Sequence, residues 1–144
     1  MARIELADFP SGEWDDGRDV NALAPTAAIF KRALQLNPQN RTANHRLGMI
    51  ATVQRDFNTA KFYLEQAYVA DPDHRGITKV LGYCYTWVGN LDRAAPLLVN
   101  IPEAKREMEV YVWWWGTQER GDLADQAARM AALLGPTNAR PTNP

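Results

Sequence analysis

The side chains able to do covalent or metal chemistry in this sequence are few and scattered. Nucleophilic catalysis needs a serine, threonine or cysteine with a base within hydrogen-bond reach. Ser11 is the single serine and stands in a glycine-containing N-terminal stretch, Cys84 falls in an apolar helical stretch, and His45 and His74 belong to different elements. No nucleophile is evidently paired with a base, so no catalytic residue is expected. His45, His74 and Cys84 also lack the short ligand spacing of a zinc site. Asp15, Asp16 and Asp19 around Gly17 do not reproduce the alternating ligands and distal glutamate of a calcium loop. With no metal or cofactor expected, function has to be sought in binding.

The composition narrows what is bound. A chain of 144 residues, 46% hydrophobic and 23% charged, suffices for one domain with a continuous core. A net charge of -1, with no block of lysine and arginine, lacks the basic excess that tracks phosphates and argues against nucleic acid. One cysteine excludes an intrachain disulfide, so packing must hold the fold. No apolar run reaches the length of about 18 residues that spans a bilayer, and the N-terminus lacks the basic-then-apolar layout of a signal peptide, so the chain as given reads as soluble.

The elements that must carry a binding surface are helices. Residues 1–8 read as a scrap of helix stopped by Phe9-Pro10, and a chain opening in mid-helix is expected to be cut from something longer. Residues 11–24 read as a surface loop whose Trp14 folds back over the end of the core. Pro25 suits a first helical turn, and the apolar spacing Ala27, Phe30, Ala33, Leu34 predicts a helix up to Asn37-Pro38. Helices follow over 42–54, 58–70, 77–88, 92–99 and 103–119, the fifth short or kinked by Pro96. A last helix is expected to end at Leu134, stopped by Gly135-Pro136. The organisation is thus a truncated helix end and loop over 1–24, a helical domain over 25–134, and a disordered tail over 135–144.

Within that domain almost every apolar or small residue of 41–72 has a counterpart 34 positions away. Leu47-Gly48 returns as Leu81-Gly82, Asp56-Phe57 as Asn90-Leu91, Ala60 as Ala94 and Leu64 as Leu98. Ala33 and Pro38 likewise precede Ala67 and Pro72. A glycine inside a helix costs about 1 kcal/mol relative to alanine, so Gly48 and Gly82 make sense where a neighbouring helix must come close. The leucines then fill the space between successive hairpins, and no hairpin buries its apolar face alone.

This pattern resembles the tetratricopeptide repeat family over roughly residues 25–134. The resemblance implies an all-α, right-handed superhelix of about three and a half hairpins, with a first unit lacking a normal first helix. The last unit has two readings. Aligning Gly121-Asp122-Leu123 on Gly89-Asn90-Leu91 sets Trp113-Trp114 over Leu81-Gly82, whereas holding the offset at 34 sets Trp115-Gly116 there. The resemblance also implies a concave face, lined by the first helices of the hairpins, that takes a protein or peptide partner. On this chain those positions are Thr42, His45, Met49 and Thr52, then Lys79, Tyr83, Thr86 and Trp87, and in the first register Met108, Tyr111, Trp115 and Gln118. Of these, His45, Met49, Lys79, Tyr83, Trp87, Tyr111 and Trp115 are the expected partner-binding residues. Lys79 is the one side chain suited to clamp a partner's carboxylate. The three tryptophans 113–115 point in three directions and are read as mainly core or cap.

A wider likeness, in PSGEWDD, HRLGMIA, LGYCYTW and VYVWWWGTQ, is to the soluble repeat tail of bacterial envelope proteins of the O-antigen ligase and polymerase kind. It implies an excised domain of a membrane protein whose aromatic face contacts sugars. A third expectation is self-association through the 113–115 end.

Overall fold

The computed structural model describes residues 23–139, with side chains described up to 135. The helix scrap over 1–8, the loop with Trp14 and the end of the tail fall outside the described residues. Those described form seven α-helices and no strand: α1 Ala24–Leu36, α2 Arg41–Val53, α3 Phe57–Ala70, α4 Arg75–Trp87, α5 Leu91–Leu98, α6 Ala104–Thr117 and α7 Gly121–Ala139.

Short polar side chains start the helices by accepting one of the backbone N–H groups that have no partner in the first turn. Asn40 accepts from the Ala43 amide at 3.0 Å, and Asp56 from Thr59 at 3.3 Å. Their counterparts one period later do the same: His74 Nδ1 accepts from Ile77 at 3.2 Å and Asn90 from Arg93 at 3.3 Å. Asn37-Pro38 and Asp71-Pro72 stop α1 and α3 where expected, because the residue before a proline is pushed out of helical conformation. The last helix differs from expectation. It runs through Gly135-Pro136 to Ala139, since a proline near a helix end removes only one backbone bond.

The repeat is visible in the packing. A Cβ built on Gly48 would lie 2.5 Å from Leu64 Cγ, and one built on Gly82 would lie 2.5 Å from Leu98 Cδ2 and 2.7 Å from its Cγ. Both leucines are fully buried. Each glycine therefore admits the leucine of the second helix of its own hairpin. Four residues on, Thr52 Oγ1 donates to Gly48 O at 2.7 Å and Thr86 Oγ1 to Gly82 O at 2.9 Å, so each buried hydroxyl is satisfied within its own helix. Hairpins α2/α3 and α4/α5 stack through α3 against α4. On the other side α1 packs on α2 but buries none of its own residues, leaving Ile29 and Leu36 exposed.

The last hairpin departs from this frame. In the α2–α3 and α4–α5 turns, Asp56 N–H bonds to Ala51 O and Asn90 N–H to Tyr85 O, around left-handed Arg55 (φ 63°) and Gly89 (φ 85°). In the α6–α7 turn, Arg120 N–H bonds to Trp115 O around left-handed Glu119 (φ 57°). Glu119 thus stands opposite Gly89, and Trp115 opposite Tyr85. Neither sequence register is right. The register that aligns Gly121 on Gly89 misses the turn by two residues, since the left-handed position holds Glu119. Gly116 is no counterpart of Gly82 either, since a Cβ on it would meet nothing within 4 Å. Left-handed conformation costs a non-glycine residue about 1–2 kcal/mol. Glu119 is exposed, so Glu119→Gly is expected to raise stability by about 0.5–1 kcal/mol in urea melts; an unchanged or lower midpoint would reject that reading of the turn.

The fifth helix spans two turns where α3 spans four, and the chain turns at residues 99–103 before α6 begins. As a result α6 makes little contact with α5. It pairs with α7, and α7 packs across α4 and α5.

Candidate functional site

Six of the seven expected partner-binding side chains are buried: Met49, Lys79, Tyr83, Trp87, Tyr111 and Trp115. Met49, on α2, lines a small apolar pocket against α1 with Phe30 and Ile50. Lys79, Tyr83 and Trp87 on α4 line no open groove, because α6 lies along them and presents Tyr111 and Trp115 to the same contact. The contacts advance together along both helices, Lys79 meeting Glu103 and Glu107, Tyr83 meeting Glu107 and Tyr111, Trp87 meeting Tyr111 and Trp115. The two helices therefore run in the same sense.

One end of this contact is charged. Lys79 Nζ sits 3.0 Å from Glu103 and 2.9 Å from Glu107, Arg75 also pairs with Glu103, and the Tyr83 hydroxyl donates to Glu107 at 2.6 Å. Lys79, the one side chain that could have clamped a partner's carboxylate, holds two carboxylates of its own chain. Burial alone would raise the Glu103 carboxyl; hydrogen bonds from its own backbone amide, Lys79 and Arg75 outweigh it and hold the group at about 2. Burial, together with the bond to Glu107, keeps the Tyr83 phenol protonated far above its usual range.

The other end is aromatic. Tyr111 packs edge-on against Trp87 at 4.9 Å between ring centres and against Tyr83 at 5.9 Å, and stacks on Trp115 at 6.1 Å. Trp115 meets Trp87 at 5.6 Å and reaches back to Phe57, at the start of α3, at 6.2 Å. The Arg55 guanidinium lies over the Trp115 ring at 5.0 Å and donates to Gln118 at 3.4 Å. The last hairpin thus touches the turn of a hairpin two units earlier. Two donors at this interface, the Tyr111 hydroxyl and the Trp115 indole N–H, are buried with no hydrogen-bond partner. Sequence reasoning missed Arg75, Glu103, Glu107, Arg55 and Phe57; the Glu103/Glu107 pair, one helical turn apart, was the available signal.

His45 is the seventh residue, half-buried, with its ring 5.4 Å from that of His74 in edge-to-face contact. Burial pushes its imidazole down from 6.5 to about 4, helped by the neighbouring charges of His74, Arg46 and Arg41. Between those two values the unfolded chain binds the extra proton. Stability from this group is complete above 6.5 and is lost as pH falls towards about 4. Urea melts from neutral pH downwards should show that loss, and His45→Gln should flatten it; an unaltered slope in the variant would refute the assignment.

Of the residues considered for chemistry, the structure brings His45 and His74 together, and Cys84 does not join them. Cys84 is fully buried, its thiol pushed up to about 12 by that burial and lying 3.4 Å from Thr52 Oγ1, so it is neither exposed nor ionised. Among the described residues no three histidine, cysteine, aspartate or glutamate side chains gather as metal ligands, and no helix is long and apolar enough to cross a membrane.

The last hairpin leaves exposed the outer side of α6 and, on α7, Leu133. Trp113 is 64% exposed and Val110, one turn earlier, 40% exposed. Trp114 is half-buried with its ring 6.5 Å from that of Trp113, and Trp115 points inward, so the three consecutive rings do point three ways. Gly116 completes this strip with open space above it.

Comparison with protein families matches residues 51–111 to the tetratricopeptide repeat. A search of curated proteins finds no match to the chain.

Proposed function

We propose that this chain, whose residues 51–111 are tetratricopeptide repeats, is a non-catalytic scaffold that holds a protein partner on the outer strip of α6. Repeats of this family generally mediate protein–protein interaction and are typically non-catalytic. The observation that carries the choice of surface is Trp113. Leaving so much apolar area in water forgoes roughly 2 kcal/mol that a partner would recover, and tryptophan is the residue type most enriched at the energetic centre of interfaces. Val110 extends the apolar contact, and Gly116 lets a partner backbone approach closely. The buried aromatic face contributes as the frame that holds the strip in place.

Immobilised chain, with Trp113→Ala and Val110→Ser in parallel, tests this against a cell extract. The full chain is expected to retain a specific protein, and Trp113→Ala to retain at least tenfold less while its circular dichroism is unchanged. Equal retention by the variant, or no protein retained by the full chain, would overturn the proposal.

A further inference from the structure

The face of α4 already has a ligand, and that ligand is a hairpin of the same chain. We infer that this face is an interaction surface for the α6/α7 hairpin as such, so that a second copy of the chain can supply the hairpin in exchange for its own. Three observations carry this.

First, the hairpin is paired mainly within itself. Helices α6 and α7 approach each other far more extensively than either approaches α4 or α5. Second, its tether is slight. Covalently the hairpin is joined to its own body by residues 99–103, where Val99, Asn100 and Pro102 are exposed and Ile101 is buried. The backbone bonds there, from Val99 N–H to Ala95 O, Ile101 N–H to Leu98 O and Ala104 N–H to Ile101 O, are all local. Beyond this tether, α7 packs across α4 and α5. Drawn out, five residues span about 17 Å, enough to carry the hairpin off its own body. Third, the contact is specific yet imperfect. Charge meets charge where Arg75 and Lys79 face Glu103 and Glu107, rings meet rings where Trp87 and Phe57 face Tyr111 and Trp115, and two buried donors stay unpaired.

The contacts made in trans are the contacts made in cis, so exchange costs only the entropy of association and the opening of the linker. Closed monomer prevails at low concentration, where the tethered hairpin has the higher effective concentration, and exchanged dimer forms as chain concentration approaches it.

Complementary charge reversal tests this. One full-length variant carries Arg75→Glu and Lys79→Glu, the other Glu103→Lys and Glu107→Lys. Each alone sets like charges against each other at the interface. In an exchanged pair both interfaces are complementary again, because each variant face meets the opposite variant's hairpin. Mixing them is expected to give a species of twice the chain mass by light scattering, melting well above either variant, and this holds even if the variants are poorly folded alone. A mixture that stays at monomer mass, or melts as the sum of its parts, overturns the inference. The unmodified chain gives a second reading: held concentrated near its melting temperature and then cooled, it is expected to yield a dimer that persists on dilution, and its absence counts equally against exchange. Neither readout depends on what docks at Trp113.

Discussion

Leu98→Ala is expected to lower the unfolding free energy by about 2–5 kcal/mol, the range for emptying a fully buried leucine site that cannot collapse. The site cannot collapse because its floor is Gly82, held where it is by the stacked helices around it. The partner change has the opposite geometry. Gly82→Ala would place a methyl 2.5 Å from Leu98 Cδ2. Overpacking of that kind costs about 1–3 kcal/mol, while the gain in helix propensity returns at most about 1 kcal/mol, so the variant is expected to be destabilised. The two changes are coupled. With Leu98 shortened, the methyl at 82 has room and fills part of the cavity, so the double variant should lose less than the sum of the singles. Simple additivity in urea melts would mean that glycine and leucine do not form a pair. Gly48 and Leu64, with the same approach distance, should behave alike.

Lys79→Met is expected to cost about 2 kcal/mol and to change the acid response of the fold. Removing one partner of a buried ion pair typically costs about 3–5 kcal/mol, and the smaller figure applies here because Glu103 and Glu107 keep partial contact with water, Arg75 still pairs with Glu103, and Tyr83 still bonds Glu107. Lys79 also lies over the Tyr83 ring at 5.6 Å, a contact the variant loses. Glu103 is held at about 2 against an ordinary 4.5, so the unfolded chain binds the proton first. The stability it contributes is present above 4.5 and is lost as pH falls towards about 2. Without Lys79 the carboxyl moves back up and that pH-dependent part shrinks. Melts of both chains across the acid range read the difference, and superimposable pH profiles would show that Lys79 does not hold Glu103.

The period and the hairpins were legible because they rest on local rules. Glycines and leucines repeat at a fixed offset, and Asp56 and Asn90 cap helices at that same offset. That legibility agrees with the match of residues 51–111 to the tetratricopeptide repeat. The two helices of the last hairpin were expected, but its register against the repeat was not legible, for equally physical reasons. Its left-handed turn residue is Glu119, which carries no glycine signal, and its glycines, Gly116 and Gly121, sit where a Cβ would meet nothing. The aromatic positions posed a different difficulty. Tyr83, Trp87, Tyr111 and Trp115 have the composition of a binding groove and equally that of a core, and which they become depends on where α6 comes to rest. That follows from the early end of α5 and from Lys79 meeting Glu103 and Glu107 across more than twenty residues of chain, neither of which a fixed repeat encodes.

The central claim is that the aromatic face is closed by the chain's own last hairpin, which leaves Trp113 outside it for a partner. Hydroxyl-radical footprinting resolved at each tryptophan reads this directly, since oxidation follows exposure of the individual ring. The account predicts rapid oxidation of Trp113, slower oxidation of Trp114, and strong protection of Trp87 and Trp115. Oxidation of Trp87 and Trp115 as fast as that of Trp113 in the folded chain would contradict it, because the face would then be an open groove.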